Sequence, residues 1–321
     1  MKPLIRSTFT SSVATDVGAF GAMFSLAEWA GSDSLLVASV DSVGTKVMVA
    51  TMTNRHDTVG QDIVNHCVND ILVHGAKPLF FMDYIAAARL LPEVILQLVE
   101  GLGAACREVG CALIGGEMAE MPGMYEPGQY DLVGFIAGVV ERGSAIRGDS
   151  VQRGDVLLGL GSNGLHTNGY SLARKLFFEV AGLPVDQYVP ELGRTLGEEL
   201  MRVHRCYARA VLPALQEVEV RGMAHITGGG LPDNLVRCVP EGCRAVVERG
   251  SWQVPPIFEL IADLGRVPQE DMYHTFNMGI GFVLVVPEAA AEEATARLSA
   301  AGETGYRIGR IEEGERGVVI V

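Results

Sequence analysis

Apolar residues along the chain follow two different periods, and the alternation between them outlines the architecture. Short runs rich in β-branched and aromatic residues, "LLVASV" (35–40), "PLFFMDYIAA" (78–87), "CALIGG" (111–116) and "YDLVGFIAGVVER" (130–142), predict strands. Between them, helical spacing over 58–75 and 92–109 predicts two amphipathic helices. A polar, glycine-bearing stretch, "GSAIRGDSVQRGD", then marks the passage into a second unit.

The second unit opens with the strand "DVLLGLG", followed by a long helix from near Asn168 and helices over 194–216, 256–265 and 287–301. Its remaining strands are "GMAHIT" (222–227), "RAVVERG" (244–250), "GIGFVLVV" (279–286) and the closing pair "YRIGRIEE" and "GVVIV", expected side by side and antiparallel. A mixed α/β fold is predicted, with domains at 1–142 and 143–321; a purely parallel doubly wound sheet is not expected.

At 321 residues and 48% hydrophobic content, the chain is long enough for two ordinary domains. No apolar run reaches bilayer-spanning length, and "MKPLIRSTFTSSVATD" has no apolar secretion core, so a cytoplasmic protein without membrane contact is expected. The formal net charge of -14 argues against nucleic acid as a partner. Six scattered cysteines with no Cys-x-x-Cys pair read as buried free thiols.

An acidic chain that meets phosphates must do so with local donors. "GLGSNG" (159–164) fits the dinucleotide pattern G-x-G-x-x-G, but "LHT" intervenes before the helix and 181–192 carries two prolines in place of the strand that pattern requires. What remains is a glycine loop entering a helix, with Ser162, Asn163, Gly164, His166, Thr167 and Asn168 at its mouth, a predicted phosphate or substrate site. A simple helix cap explains Asn168 alone but not the cluster. A second glycine run, Thr227, Gly228, Gly229 and Gly230, also joins a strand to a helix and allows close backbone approach to a ligand.

"DSVGTK" (41–46) carries Asp41 out of a strand through Gly44 and Thr45 to Lys46, a carboxylate and an ammonium suited to a magnesium-bound phosphate chain; a surface salt bridge is the alternative. Asn69 and Asp70 lie in a helix otherwise rich in Val, Ile and Leu, where a carboxylate needs a partner; a metal shared with Asp41 supplies one. In "CALIGGEMAEMPGMY", Gly115 and Gly116 end a strand and place Glu117 at its tip, predicted as a third carboxylate of the magnesium site, with Glu120 a weaker substrate contact. The intervening methionines read as adaptable packing.

"DSVGTK", "CVNDILVHGAKPLFFMDY", "GGEMAEMPGMY", "GLGSNGLHTNGYSLARK", "HITGGG" and "MYHTFNMGIGF", in this order, resemble the phosphoribosylformylglycinamidine cyclo-ligases. The resemblance implies a homodimer whose N-terminal domains complete a β-barrel, with ATP bound nearby and a C-terminal domain closing over the cleft. It also implies the conversion of formylglycinamidine ribonucleotide and ATP to aminoimidazole ribonucleotide, ADP and phosphate. In this reading Lys46 neutralises transferring phosphate, Asp41, Asp70 and Glu117 hold Mg2+, Gly44, Thr45, Asn69, Gly115 and Gly116 face the nucleotide, and His166 moves a proton. The chain departs from the family at Ala88, Arg89 and Asp233, which stand for glycine, lysine and glutamate, and it lacks the family's upstream tyrosine and Ala/Ser-Gly-Val-Asp segment. A non-catalytic nucleotide-binding paralogue is the alternative that this last difference raises.

Overall fold

A computed structural model describes residues 6–7, 9–16, 20–27 and 33–321, so part of the segment read for a secretion core lies outside it. Two mixed sheets organise the chain. The first is built from β1 (Ala22–Ser25), β2 (Ser34–Ser42), β3 (Lys77–Ala87), β4 (Ala112–Glu120) and β5 (Tyr130–Glu141), in the order β1-β2-β5-β3-β4. The β3–β4 pair is parallel and the others antiparallel.

On one face of this sheet lie α1 (Lys46–Thr53), α2 (Asp57–Leu72) and α3 (Pro92–Val109). The helix α1 was not foreseen, because eight residues of "KVMVATMT" show no polar side to give it a period. Between α2 and α3 the backbones meet: a Cβ on Gly60 would stand 2.4 Å from the Leu98 carbonyl oxygen, and one on Gly101 1.9 Å from that of Asp57. Glycine is required at this crossing because no side-chain movement can relieve a clash with main chain.

The second sheet takes β6 (Val156–Gly161), β9 (Gly222–His225), β10 (Cys243–Val247), β11 (Ile280–Val286), β12 (Gly305–Glu313) and β13 (Gly317–Ile320), in the order β13-β10-β12-β6-β11-β9. A two-residue pair, β7 (Tyr188–Val189) and β8 (Arg194–Thr195), lies apart. The last two strands run in opposite directions as expected, yet they are not neighbours. The strand β10 stands between them, parallel to β13 and antiparallel to β12. A three-residue connection suggested a hairpin, but β10 takes the place that β13 would have filled.

Around this sheet are α4 (Tyr170–Arg174), which continues as a π-helical turn to Val180, then α5 (Leu196–Leu200), α6 (Ala208–Ala214), α7 (Gly230–Leu235), α8 (Pro256–Gly265), α9 (Gln269–Thr275) and α10 (Ala291–Ala300). The single helix expected over 194–216 is two, α5 opened by a Thr195–Glu198 capping box and α6. The break has a tertiary cause. Side chains of α2 bond to the main chain between the two helices: the Asp62 carboxylate accepts from His204 N, Asn69 accepts from Tyr207 N, and Asn65 and Asn69 donate to the carbonyls of His204 and Arg205. Those groups would otherwise serve a helical ladder.

All six cysteines are free. No described helix is long and apolar enough to cross a membrane. Replacing Gly101 with Ala should lower unfolding stability by roughly 1–3 kcal/mol, measured by urea denaturation, because the new methyl cannot be accommodated without separating α2 from α3.

Candidate active site at the seam between the sheets

The helix α2 is buried along almost its whole length, yet it carries Asp62, Asn65, His66, Asn69 and Asp70. Their three- and four-residue spacing places them on one side of the helix, turned from the first sheet toward the second half of the chain. Each finds a partner there. Buried polar groups demand this, since an unpaired one costs about 1–3 kcal/mol.

Lys46, fully buried, forms a 2.7 Å ion pair with Asp62 and donates to the carbonyl oxygens of Arg202 at 2.6 Å and His166 at 3.2 Å. Burial pulls the lysine down and the aspartate up, and the charge and bond of each partner oppose that shift. The structure therefore corrects the expectation for Lys46: its ammonium is spent on joining the two halves and does not face an open phosphate site.

Four imidazoles gather beside this pair. His66 Nε2 meets Asp41 at 2.9 Å, His66 Nδ1 meets the Thr167 hydroxyl at 2.9 Å, and that hydroxyl meets His204 Nδ1 at 3.2 Å. His204 Nε2 lies 3.0 Å from His225 Nε2, and His225 Nδ1 reaches Asp70 at 2.8 Å. Asp70 also accepts from the Ser39 hydroxyl at 3.0 Å and lies 3.8 Å from His66 Nε2. The links form a chain from one carboxylate to the other. Five links need five protons, whereas three neutral imidazoles and one hydroxyl hold four between them.

Of the three imidazoles, His66 is the one shifted toward its charged form. Burial alone would pull this imidazole down, but the Asp70 and Asp41 carboxylates raise it above its ordinary value. Burial likewise opposes the Asp41 charge, and the bond and charge of His66 with the Ser42 N–H bring Asp41 below its usual range. His204 is held well below the usual range by burial and then by the surrounding imidazoles and Lys46, and burial lowers His225 despite Asp70.

His166 stacks on His204 with ring centroids 4.1 Å apart, in a left-handed backbone conformation with φ 61°. Neither of its ring nitrogens has a hydrogen-bond partner. Burial, followed by the charge of His225 and Lys46, pushes it well below its ordinary value, so it is a neutral imidazole at physiological pH and not one poised to titrate there.

The two glycine loops meet each other and a third segment. Ser162 bonds to Asn277 at 2.9 Å, Asn277 donates to the Gly164 carbonyl at 2.9 Å, and Ser162 N donates to Gly279 at 2.8 Å. A Cβ on Gly228 would stand 3.3 Å from Asn168 Oδ1, and one on Gly230 1.8 Å from the Tyr273 carbonyl oxygen, so this close approach demands glycine. Asn234 ties the run together by donating to the carbonyls of Thr227, Gly228 and Gly230. Gly229, like Gly230, takes a positive φ.

Two expectations change here. Asn168 does not cap α4, whose N-cap is Gly169, and with α7 at six residues and α4 at five the helix dipole contributes little. The loops' own donors must serve, and Asn163 Oδ1 and Asn168 Nδ2 are left without partners.

Asp41 and Asp70 converge on His66, but Glu117 does not join them. Across the first sheet Asp41 aligns with Gly134, Asp83 and Gly116, while Glu117 aligns with Tyr84, Val133 and Ser42. Because side chains alternate, Glu117 points to the face opposite Asp41, three strands or roughly 14 Å away. An all-oxygen cradle of these three carboxylates is not formed within one chain. Magnesium arriving with nucleotide phosphates needs only one or two protein carboxylates. Asp41, 45% exposed, is the member of the trio near the seam that reaches solvent, while Asp70 is buried.

Gly44 has open space where a Cβ would stand, and Thr45 reaches Ser171 across the seam at 3.1 Å. Gly115 lies open on β4, while Gly116 packs on Asp83. Asn69 is bonded into the seam on both sides of its amide. Glu120 accepts from the Leu90 N–H at 3.0 Å.

Sequence reasoning missed His66, His204, His225, Asp62 and Asn65. The helical spacing of the α2 polar residues carried the signal for three of them.

The 21–140 and 152–321 stretches match the sequence models of the "AIR synthase related protein" N-terminal and C-terminal domains. The chain belongs to this family. It is 50% identical to the "Phosphoribosylformylglycinamidine cyclo-ligase" of Syntrophotalea carbinolica, covering 100% of this chain and 93% of that one, and 48% identical to its namesake in Alkaliphilus metalliredigens, covering 100% and 92%. The resemblance carried by the motifs thus extends over the whole chain. Solved structures share the fold at low identity. A thiamine-monophosphate kinase from Stenotrophomonas maltophilia aligns with a TM-score of 0.68 at 17% identity over 99% of this chain and 93% of its own. The hydrogenase maturation protein HypE in complex with ATP aligns at 0.65 and 21% over 89% and 81%.

Two measurements test this geometry. Lys46→Met should cost about 3–5 kcal/mol by leaving Asp62 charged and alone, and Lys46→Met combined with Asp62→Leu should recover much of it. The Asp41–His66 pair should stabilise the fold most between the ordinary values of the two groups, 3.8 for Asp41 and 6.5 for His66, since the folded value of Asp41 lies below the first and that of His66 above the second. The His66 contribution is complete below its unfolded value and disappears as pH rises through its folded value. The Asp41 contribution is present above its unfolded value and is lost as pH falls through its folded value. Denaturation of wild type and His66→Gln across pH 3–9 should show the difference between them shrinking at both ends.

Proposed function

We propose that the chain is an ATP-dependent cyclo-ligase that converts formylglycinamidine ribonucleotide to aminoimidazole ribonucleotide in the cytoplasm, as a step of purine biosynthesis. The observation that carries this reading is near-half identity, end to end, with proteins of that name. The non-catalytic alternative is not favoured, since the similarity spans both family domains without a gap in the seam.

The chemistry assigns modest tasks to the protein. A formamide oxygen is a poor leaving group, so ATP phosphorylates it; the amidine nitrogen then closes the ring, and phosphate departs with that oxygen. Positioning and charge stabilisation dominate such a reaction. The backbone N–H groups of Asn163, Gly164, Gly228 and Gly229 hold phosphate, while Asn163 Oδ1 and Asn168 Nδ2 present an acceptor and a donor to the substrate. His166, neutral and unpaired, is suited to accept a hydrogen bond or proton when the seam opens to substrate. Asp41, exposed at the seam, would help hold magnesium carried in with the nucleotide, an ion that would neutralise phosphate charge.

The N-terminal 1–142 region is assigned nucleotide binding and dimerisation, and 143–321 substrate and phosphate binding. Support for a homodimer comes from the open face of the first sheet, where Val40, Phe135 and Met82 form one exposed cross-strand row next to Tyr84. Apolar rows of this kind are costly to leave in water. A second copy covering the face would complete a barrel and place Glu117 inside the assembly.

Purified protein given ATP, magnesium and formylglycinamidine ribonucleotide should release ADP in a substrate-dependent way and form the aminoimidazole product; absence of both defeats the proposal. Glu117→Gln should lower turnover by tenfold or more while leaving the thermal midpoint nearly unchanged, since the side chain is exposed in the single chain.

A further inference from the structure

We infer that His66, Asp70, His225 and Asp41 form a binding site for a zinc-class divalent cation, running inward from the exposed Asp41 carboxylate and chemically distinct from a nucleotide-borne magnesium. The ligand atoms of the first three lie within 4.8 Å of one another. His66 Nε2 is 3.8 Å from Asp70 and 2.9 Å from Asp41, and His225 Nδ1 is 2.8 Å from Asp70. Metal bonds of about 2.0–2.2 Å place tetrahedral ligand atoms roughly 3.3–3.6 Å apart, a range that these separations straddle. The His66 and His225 ligand atoms, within 4.8 Å of each other, would draw together to close around the ion.

The surrounding contacts fit this reading. A metal-bound imidazole ordinarily donates its other N–H to a fixed partner. His66 Nδ1 faces the Thr167 hydroxyl, and His225 Nε2 faces His204 Nε2. Asn69 Nδ2, held by the Arg205 carbonyl, approaches that same His204 nitrogen at 3.3 Å, where a donor requires an acceptor. With a cation on the inner nitrogens, His66 and His204 both donate through Nδ1 to Thr167, His225 donates through Nε2 to His204, and every imidazole is neutral with no donor facing a donor.

The donor set decides the class of ion. Two imidazoles with two carboxylates suit zinc, cobalt or iron, whereas magnesium favours oxygen ligands and retained water. The site shares Asp41 and Asp70 with the function proposed above and rests on their convergence there. Its test uses no nucleotide, so its failure leaves the cyclo-ligase reading standing, and a lack of turnover leaves this one standing.

Full-length protein freed of metal with a chelator and titrated with Co2+ alone should bind one ion per chain. It should develop the intense visible absorption of a four-coordinate site, lost on addition of Zn2+ but not of millimolar Mg2+. His66→Gln and His225→Gln should each weaken Co2+ binding at least tenfold, with folding checked by circular dichroism, and Thr167→Val should weaken it by roughly 10–100-fold. Because a variant can fail by unfolding, crystals of the unmutated chain soaked in Zn2+ should give an anomalous peak among these four side chains. A six-coordinate spectrum, displacement by Mg2+ at concentrations comparable to Zn2+, or an anomalous peak elsewhere would overturn the inference.

Discussion

The polar edge of α2 is the constraint on which the molecule depends. A helix buried on all sides must normally be apolar all round. This one carries two carboxylates, two amides and an imidazole on one side, and none of them can reach water. Beyond Lys46, Asp41 and Ser39 of the same half, their compensation is the partner set offered by 202–207, Thr167 and His225. The second half of the chain is therefore fixed against the first by unmet hydrogen-bonding capacity as much as by apolar area. That requirement explains why "VHRCY" is not helical where its composition is compatible with helix, and why Lys46 points inward.

The fold was legible where one period dominates. β5, α3 and α8 lie close to where the apolar pattern puts them, because each keeps one regular period along its length. The pattern failed where distant residues decide. The interruption at 201–207 comes from side chains more than a hundred positions away, and β10 enters between β12 and β13 from sixty residues earlier. No local window contains either fact.

At the site, the sequence indicated that Asp70 needed a partner but not which one. Asp41 and Asp70 do converge, as the two motifs suggested, yet histidines lie between and beside them. Glu117 was misplaced by a single-residue matter of strand parity: a strand tip is a good position only if the side chain points to the right face. Lys46 was misread for a related reason. An ammonium after a turn resembles a phosphate ligand, and only the depth of the seam shows that Asp62 and two carbonyl oxygens already occupy it.

The half-exposed position of Asp41 has a bearing on traffic. His66, Thr167, His204 and His225 are buried, and Asp41 stands at the outer end of their row of contacts. Deuterium entering from bulk solvent would pass this carboxylate first and reach His204 only by successive hand-offs. A molecule seated over Asp41 would thus act as a stopper, isolating the interior imidazoles from the surrounding water for as long as it stays.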